Sequence, residues 1–580
     1  MSAPRFLALT GDAEQLRAWL SGFVPVAEPP VRLNRVFDAP DLVIFASPET
    51  PLVALDEERG LLLGQLFKGH NPSVPIAALD ASASRHAGWS HGRSLLEGRW
   101  GKFVAFLRGD QSVAVIREPS GTIPAYFAKT AGLQIYFSHL ELALGAGYRP
   151  PAIDEEFLRQ WLTYSFLRTA RTGLEGCNEL LPGTARISSA AGTRIETIWS
   201  PWHAADAERE VRNFDEAARR LREVALGTVA AQLAGTERPL LELSGGLDSS
   251  IVAACLKAGG IDFKAVTFAT RTPAGDERDY ARRIAQALSV DLLEEGEDAL
   301  PLDLSPPSPT LRPPLSPVLQ PLERAFSGAA RASGSRDLVT GAGGDNIFCY
   351  LTTAAPALDA FGQLPLRDAM ATLQDVATLG DCTIWKAGRF ALRKQMRRTK
   401  RPIWTRDDRF LLPAAMADAP EAHPWLAAPE GVSAGKIEHV EALVRIQHFL
   451  QPEHASGEAM HHPLLNQPLI ETCLAIPTWL WVRGGRNRAV ARHAFADLLP
   501  PTIVRRRSKG SLASMCSRTF ALSASRLSDL LLGGELERRG LIDAAEVQAY
   551  LATAENPRGE AYFRIFDLVS LELWLRAWRA

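Results

Sequence analysis

A strand–loop–helix segment around residue 245 constrains the fold of this chain more than any other feature of its sequence. The loop Leu243-Ser-Gly-Gly-Leu-Asp-Ser-Ser250 follows an apolar run at Pro239–Leu243 and leads into a helical pattern at Ser249–Lys257. Two adjacent glycines let the backbone turn tightly and present its N–H groups to an anion. A helix that begins at such a loop adds free N–H groups and the positive end of its dipole. The segment therefore predicts an anion-binding site between a strand and a helix.

The side chains of this loop indicate that the anion is a phosphate accompanied by a divalent cation. Ser244, Ser249 and Ser250 offer hydroxyl groups to the phosphate, and Gly245 and Gly246 offer backbone N–H groups without a side chain in the way. Asp248 would repel an unaccompanied phosphate, so its presence implies a cation between the two groups, most naturally Mg²⁺. A plain glycine-rich turn would need neither the hydroxyls nor the carboxylate. The loop does not follow the Walker A pattern GxxxxGK[ST].

The rest of the chain divides into a β-rich half and a half in which strands and helices alternate. Short strand patterns in residues 1–200 occur at Leu42–Ala46, Leu61–Phe67, Lys102–Leu107, Ser112–Ile116 and Leu133–Phe137. Further on, strand patterns at Phe263–Phe268 and Asp337–Thr340 alternate with helical patterns at Asp215–Leu233 and Glu277–Leu288. Alternation of this kind favours a doubly wound parallel sheet. We predict an α/β protein with two domains, residues 1–205 and 206–580, the second ending in a mostly helical part.

Composition excludes several classes of protein. The chain has 64 Lys and Arg against 66 Asp and Glu, so its net charge gives no electrostatic footprint for nucleic acid. We expect no membrane segment, because no uncharged stretch reaches about 20 residues, and no signal peptide at the start. The six cysteines form no CxxC pair, which is typical of reduced thiols. A cytoplasmic protein is expected.

Two segments of biased composition interrupt the second half. Pro301–Pro321 holds eight prolines and must be extended or irregular, either as an exposed connection or as a loop that borders the active site. Lys386–Arg401 holds eight basic residues and no acidic one, mostly at helical spacing. It is either a solvated helix face or a docking surface for an acidic peptide.

The loop and four later motifs, in order, resemble the synthetase domain of the asparagine synthetase family. That family belongs to the ATP pyrophosphatase group, whose enzymes split ATP into AMP and pyrophosphate in order to adenylate a substrate. The motifs that carry the resemblance are Leu243–Ser250, Val266-Thr-Phe268, Gly275-Asp-Glu-Arg-Asp-Tyr-Ala281, Thr340-Gly-Ala-Gly-Gly-Asp345, and Arg488-Ala-Val-Ala-Arg492 with Arg505-Arg-Arg-Ser-Lys-Gly510. The resemblance covers most of residues 210–515.

The resemblance implies a role for individual residues. ATP phosphates and pyrophosphate would bind Leu243, Ser244, Gly245, Gly246, Asp248, Ser249 and Ser250, and the adenine and ribose would contact Val266, Thr267 and Phe268. Thr340 and Gly341 would complete the nucleotide site. Asp248 and Asp345 would hold Mg²⁺. Lys509 would stabilise charge on the adenylate, and Arg488 would grip phosphate.

The N-terminal half resembles the glutamine amidotransferase domain of the same family. Trp100-Gly-Lys-Phe-Val-Ala-Phe106 and Arg117-Glu-Pro-Ser-Gly-Thr-Ile-Pro124 carry this resemblance, which implies the αββα fold of N-terminal nucleophile (Ntn) hydrolases. Glutamine-hydrolysing members need a cysteine directly after the initiator Met, where this chain has Ser2. We therefore expect a glutaminase-inactive scaffold.

Departures from the family pattern narrow the expected reaction. Ala342 stands where asparagine synthetases carry Glu and β-lactam synthetases carry Tyr, so a group that prepares the nucleophile is missing. The segment Gly457–Asn466 offers Glu458, His461 and His462 as candidates for orienting or deprotonating an amine. A peptide α-amine, with a pKa of about 7.7–8.0, is already partly neutral at pH 7 and needs little help.

This combination of motifs is most similar to lasso peptide macrolactam synthetases. The resemblance implies a ligase that uses ATP and Mg²⁺ to join the N-terminal amine of a precursor peptide to an internal Asp or Glu side chain. It also implies a leader-peptide protease or a leader-binding protein as a partner. The alternatives are a related amide-forming enzyme, of the β-lactam type or acting on another small molecule, and a non-catalytic scaffold in a biosynthetic complex.

Overall fold

The computed structural model describes most of the chain. The described residues are 4–22, 32–56, 58–70, 73–269, 275–296, 301–397, 403–450, 457–507, 510, 512–554 and 559–579.

The N-terminal half is built from short strands with few helices. In chain order its strands are β1 Phe6–Thr10, β2 Asn34–Ala39, β3 Leu42–Ala46, β4 Leu52–Leu55, β5 Gly60–Lys68, β6 Val74–Pro75, β7 Ala78–Leu79, β8 Arg99–Arg108, β9 Ser112–Arg117, β10 Tyr126–Thr130, β11 Leu133–Phe137, β12 Asn178–Glu179, β13 Thr184–Ser189 and β14 Gly192–Thr197. Its helices are α1 Ala13–Gly22, α2 Ala81–Trp89, α3 Arg93–Leu96, α4 Leu140–Gly145 and α5 Glu155–Thr163. The five strands predicted in this half are confirmed to within a few residues.

These strands form two mainly antiparallel sheets that pack face to face. The first sheet has the order β12-β10-β11-β1-β3-β2, and the second runs β14-β13-β9-β8-β5-β4-β7 with β6 beside β5. Alternate residues of each strand, such as Phe6 and Phe106, fill the space between the sheets. Helices α1 and α4 cover the outer face of the first sheet, and α2 and α3 cover that of the second. The predicted αββα layering is confirmed.

The second half contains a five-stranded parallel sheet. Its elements up to the last helix of the α/β part are α6 Phe214–Leu233, β15 Leu240–Glu242, α7 Leu247–Ala258, β16 Lys264–Ala269, α8 Arg278–Leu288, β17 Leu292–Gly296, α9 Gln320–Ser333, β18 Asp337–Val339 and α10 Gly344–Ile347. The strand order is β17-β16-β15-β18-β19, where β19 is Ala459–His461. Helix α9 covers one face of the sheet, and α7 and α8 cover the other. The sheet is therefore doubly wound, as predicted.

The remainder is mostly helical, also as predicted. Its helices are α11 Ala355–Gln363, α12 Leu366–Leu379, α13 Ile384–Arg397, α14 Ala434–Ile446, α15 Gln467–Leu474, α16 Ala489–Ala494, α17 Pro501–Val504, α18 Ala513–Leu531, α19 Glu535–Arg538, α20 Ala544–Leu551 and α21 Tyr562–Arg579. A separate core joins α18, α20 and α21 to α5 of the N-terminal half. None of the helices in the described ranges is long and apolar enough to cross a membrane. All six cysteines are free thiols, and only Cys382 is not buried.

Two details differ from the sequence prediction. Helix α7 begins at Leu247, two residues before the predicted start, so Asp248 lies in its first turn. Strand β19 was not predicted, because three residues without a β-branched side chain carry no strand signal. The strand nevertheless pairs in parallel with β18 and forms one edge of the sheet.

Candidate active site

A cavity of about 350 Å³ opens at the carboxyl ends of β15 and β18, where ligands bind in open α/β sheets. Its walls come from the loop after β15, the loop after β18, and the segments around α16 and α17. The lining residues are Glu242, Ser244, Gly246, Leu247, Asp248, Ser249, Glu277, Gly341, Ala342, Gly343, Gly344, Asp345, Asn346, Ile446, Arg488, Arg492, Ile503 and Arg506. The cavity thus brings together six of the predicted nucleotide and metal residues: Ser244, Gly246, Asp248, Ser249, Gly341 and Asp345.

The first loop has the geometry that its glycines predict. Gly245 adopts a positive φ of 73°, and a Cβ there would lie 2.5 Å from the Cβ of Tyr280. The Ser244 hydroxyl accepts a hydrogen bond from the Gly246 N–H at 3.3 Å and lies 3.2 Å from the Ser249 hydroxyl. The Ser250 hydroxyl donates instead to the Gly246 carbonyl and is fully buried, so it stabilises the turn and does not line the cavity.

The second loop packs directly against the first turn of α7. A Cβ on Gly344 would lie 2.3 Å from Cγ of Asp248, and one on Gly341 would lie 2.6 Å from the Ser249 nitrogen. Only glycine permits this approach, which brings Asp345 beside Asp248. Thr340 is buried behind the loop, where its hydroxyl lies 2.9 Å from Nδ1 of His462 and accepts the Ala342 N–H. Thr340 therefore supports the loop from behind.

Arg488 lies between the two carboxylates that were predicted to hold the metal. Its Nη1 donates to both Asp248 oxygens at 2.8 and 2.9 Å and to Asp345 Oδ1 at 2.6 Å. Its guanidinium also lies 5.0 Å from the ring centre of Tyr350. The residue has a left-handed φ of 52°, which costs a non-glycine residue about 1–2 kcal/mol. Strain of this size is typical of functional sites.

The donor set fits Mg²⁺ bound together with nucleotide. Asp248 and Asp345 both lie within 2.9 Å of one Arg488 nitrogen, so one ion can reach both carboxylates. No group of three or more His, Cys, Asp or Glu residues that could hold a metal occurs among the described residues. Mg²⁺ commonly takes one or two carboxylates and completes its octahedral shell with phosphate oxygens and water. Two carboxylates are therefore sufficient if the nucleotide supplies the rest.

Arg506 and Glu277 are site residues that sequence reasoning missed. Arg506 donates to the Gly245 carbonyl at 3.0 Å and to Glu277 Oε1 at 2.5 Å, and its guanidinium lies 3.8 Å from the ring centre of Tyr280. The Gly510 N–H donates to the same Glu277 oxygen at 3.0 Å. This contact set ties the C-terminal motif to the phosphate loop. Both residues lie in motifs that carry the family resemblance, but those motifs did not indicate that the two side chains meet.

Glu242 also faces the cavity and was not predicted. It is the last residue of β15, two residues before Ser244. Burial, reinforced by the nearby Glu277 carboxylate, raises the pKa of Glu242. A buried carboxyl group with a raised pKa at the mouth of a nucleotide cavity is able to donate or accept a hydrogen bond.

Several predicted residues lie outside this cavity. Leu243 is buried below the loop, and its N–H donates to the Val266 carbonyl. Val266 and Thr267 are buried within β16, and the Thr267 hydroxyl has no hydrogen-bond partner among the described residues. Phe268 packs on Phe326. Contact of Val266, Thr267 and Phe268 with a nucleotide stays a prediction.

The structure does not bring Glu458 and His461 to the phosphate loop. Glu458 precedes the amino end of β19, and the cavity lies at the carboxyl ends of the strands, at the opposite end of the sheet. The His461 ring bonds to Asp337 at 2.7 Å, and the charge of Lys102 in the N-terminal half acts on it. Burial lowers the pKa of His461, although the bond to Asp337 opposes this shift. Lys509 and Ser2 lie outside the described residues.

A second cavity of about 980 Å³ lies between the N-terminal half and the C-terminal helices. Six prolines of the Pro301–Pro321 segment line it, at positions 306, 307, 309, 313, 314 and 317. The segment is fixed by Arg312, which joins Arg117 and Arg168 around the fully buried Glu179. It is therefore the wall of a cavity and not a free connection. Ile446 lines the first cavity, and His448 and Leu450 line the second.

The fold and the first cavity define an α/β protein with a glycine-rich loop at the carboxyl end of a doubly wound parallel sheet. The chain belongs to the asparagine synthase family, whose model matches residues 220–576. Members of this family are ATP-dependent ligases that form amide bonds.

Similarity to other known proteins is distant. No curated protein matches the chain. One similar solved structure is described as the allosteric regulatory enzyme of purine biosynthesis, with 12% identity, a TM-score of 0.20, and coverage of 52% of this chain and 76% of that one. Another is the glutamine phosphoribosylpyrophosphate amidotransferase from B. subtilis complexed with ADP and GMP, with 12% identity, a TM-score of 0.19, and coverage of 53% and 77%.

Proposed function

We propose that the protein is an AMP-forming macrolactam synthetase. It adenylates the side-chain carboxylate of an Asp or Glu in a precursor peptide and closes the peptide on its own N-terminal α-amine, as in lasso peptide maturation. The expected setting is the cytoplasm, with which the free thiols agree. A leader-peptide protease or a leader-binding protein is the expected partner.

The residues of the first cavity support the adenylation step. The 244–249 loop and the start of α7 bind the phosphates of ATP through N–H and hydroxyl donors. Asp248 and Asp345 would hold Mg²⁺, which neutralises phosphate charge when it is bound. The substrate carboxylate attacks the α-phosphorus, the bond to the bridging oxygen breaks, and pyrophosphate leaves. The protein contributes mainly positioning and electrostatic stabilisation.

Ring closure follows from the acyl-adenylate. The neutral α-amine attacks the acyl carbon, a C–N bond forms, the C–O bond to AMP breaks, and the amine loses one proton. Ala342, in the wall of the cavity, provides no side chain that could take this proton. A peptide α-amine is partly neutral at pH 7, so it can attack without a strong base.

The observation that favours a peptide over a small acid is the size and position of the second cavity. At about 980 Å³ it is at the upper end of the range of ligand sites, and a single amino acid would leave most of it empty. Ile446 of the first cavity and His448 of the second are two residues apart in the chain, so one segment contributes to both walls. The six prolines fix the φ angles of this wall and lack N–H groups themselves, so the wall is extended and suits an extended chain.

The N-terminal half serves as a scaffold in this proposal. Cys177 is the only cysteine in residues 1–205. Burial raises its pKa to about 12, so it is not a thiolate at neutral pH. Instead of releasing ammonia, this half provides one wall of the larger cavity through residues such as Arg117 and Tyr126.

The decisive experiment incubates the purified protein with ATP, Mg²⁺ and peptides that begin with Gly and carry Asp or Glu at different distances. Loss of one water from a peptide, together with one AMP formed per ring, is expected by mass spectrometry and nucleotide analysis. The Asp248→Asn variant is the control for background cyclisation. Amidation of a small acid, with no peptide product, would contradict the proposal. Absence of ATP–pyrophosphate exchange with every substrate would indicate a non-catalytic protein.

A further inference from the structure

Helix α13, Ile384–Arg397, presents large apolar side chains to solvent and small ones to the protein. Trp385 is 85% exposed, Leu392 61% and Met396 70%. The residues that face inward are Ala387 and Ala391, which are 2% and 6% exposed. A surface helix of a monomer normally has the reverse arrangement. The large apolar side chains of α13 therefore lie on its outer face, where they are available to a binding partner.

The exposed apolar residues of α13 lie on one face of the helix. Residues 385, 392 and 396 are separated by seven and four positions, so they lie above one another on a helix. Helix α12 ends at Leu379, four residues before α13 begins, and the two helices pack against each other. At the start of α12, Leu366 and Met370 are also exposed, at 71% and 41%. Large apolar side chains left exposed in number mark an interaction site.

Positive charge lies directly beside the stripe. Lys386, Arg389 and Arg393 follow the apolar residues around the helix and are all exposed. No Asp or Glu occurs between residues 384 and 397. Among the cations at positions 386, 389, 393 and 394, Lys394 alone turns inward, where it pairs with Glu438 of α14. The outer face therefore combines a stripe of Trp, Leu and Met with a parallel stripe of cations.

We propose that this face docks an acidic amphipathic helix of a partner protein. Helices of that kind lay an apolar face into a groove between helices, and Trp, Met and Arg are the residues enriched at interface cores. Charge selects the partner: Glu or Asp beside its apolar stripe meets Arg389 and Arg393. A second copy of this chain is disfavoured as the occupant, because a symmetric contact would set the cations of one copy against those of the other.

The test uses a fluorescent synthetic helix with a Leu stripe flanked by Glu, and a scrambled peptide of the same composition. Binding to the full-length protein is measured by fluorescence anisotropy at low and high salt. The helix is expected to bind, to bind at least about tenfold more weakly to Trp385→Ser/Leu392→Ser, and to lose most of its salt dependence with Arg389→Glu/Arg393→Glu. Trp89→Ser is the matched control, since Trp89 is 84% exposed elsewhere on the chain.

Three outcomes would overturn the proposal. Equal binding of the scrambled peptide, or no binding of either peptide, would remove the docking site. Binding to phosphatidylglycerol vesicles but not to the helix, lost in the Trp385→Ser/Leu392→Ser variant, would make the face a membrane-surface helix. A concentration-dependent dimer that the same variant abolishes would assign the face to a second copy. Each result is independent of whether the protein cyclises peptides.

Discussion

One nitrogen of Arg488 lies within 2.9 Å of the carboxylates of both Asp248 and Asp345, two residues that are 97 positions apart in the chain. In this arrangement the guanidinium supplies the positive charge that two neighbouring carboxylates require. A metal ion that bound both carboxylates would occupy the same space. Arg488 is therefore placed to exchange with the ion and to move to the phosphates that accompany it.

Loss of either carboxylate is expected to remove adenylation while the fold is retained. Asp248→Asn or Asp345→Asn should lower ATP–pyrophosphate exchange by roughly 100-fold or more, because phosphate charge is then poorly neutralised. The thermal unfolding midpoint should change little, since both carboxylates are partly exposed and Arg488 keeps one partner. Full exchange activity in either variant would show that the assigned metal site is wrong.

The Arg488→Ala variant is expected to separate metal binding from catalysis. Without the guanidinium, Mg²⁺ alone should bind the two carboxylates more tightly than it binds the native protein, whereas the exchange reaction should slow. Thermal unfolding at increasing MgCl₂ measures the first effect, because a ligand of the native state raises the midpoint according to its affinity. Arg488→Lys, which keeps the charge, is the control. Equal Mg²⁺ responses in the native protein and Arg488→Ala would contradict the proposed exchange.

The sequence predicted those parts of the site that local rules determine. The glycines and the carboxylate of the 243–250 loop are recognisable because a tight turn at a helix N-terminus needs those residue types. The Arg506–Glu277 contact could not be predicted, since its partners are 229 residues apart and nothing in either motif indicates which residue it contacts. His461 was misleading for a related reason. It lies in a strand too short to detect, and the strand turns its ring toward Asp337 and away from the phosphate loop.

The Arg506–Glu277 pair is expected to hold the phosphate loop in its binding geometry. Arg506→Ala should raise the KM for ATP by about tenfold, because the Gly245 carbonyl and Glu277 both lose the hydrogen bonds that the guanidinium donates. The double variant with Glu277→Gln should cost less than the sum of the single variants, with a coupling energy of roughly 1–3 kcal/mol. If the effects of the two single variants on the KM for ATP added up in the double variant, the two side chains would act separately.

The buried cluster around Glu179 is expected to determine acid stability. Burial alone would raise the pKa of Glu179, but Arg168, Arg312 and Arg117 bring it down to about 2, below its usual value of 4.5. Because the folded-state pKa is depressed, the stabilisation is complete above about pH 4.5 and is lost as the pH falls toward 2. Glu179→Gln should remove it at neutral pH and cost about 3–5 kcal/mol, since three guanidinium groups lose their carboxylate.

Glu118 provides a matched control for that experiment. It is also a fully buried carboxyl group of the N-terminal half, but burial raises its pKa to about 7. A group whose folded-state pKa is raised stabilises the fold below its unfolded value and loses this contribution as the pH rises. Glu118→Gln should therefore be much milder than Glu179→Gln at pH 7 when unfolding midpoints are compared. If Glu179→Gln and Glu118→Gln lowered the stability equally at pH 7, the charges of the arginine cluster would add nothing to the stability beyond packing.

The pH dependence of ring closure should be that of the substrate and not of a protein base. The cavity wall has Ala342 where a base would act, so the single-turnover rate from a preformed adenylate should rise with the fraction of neutral α-amine, with an apparent pKa near 7.7–8.0. A peptide whose first residue has a less basic amine should shift the profile to lower pH by the same interval. His461→Gln should leave the profile in place, because the His461 ring bonds to Asp337 at 2.7 Å and does not line the cavity. If the pH profile of the rate did not change with the pKa of the substrate amine but shifted in the His461→Gln variant, proton transfer would be assigned to that histidine.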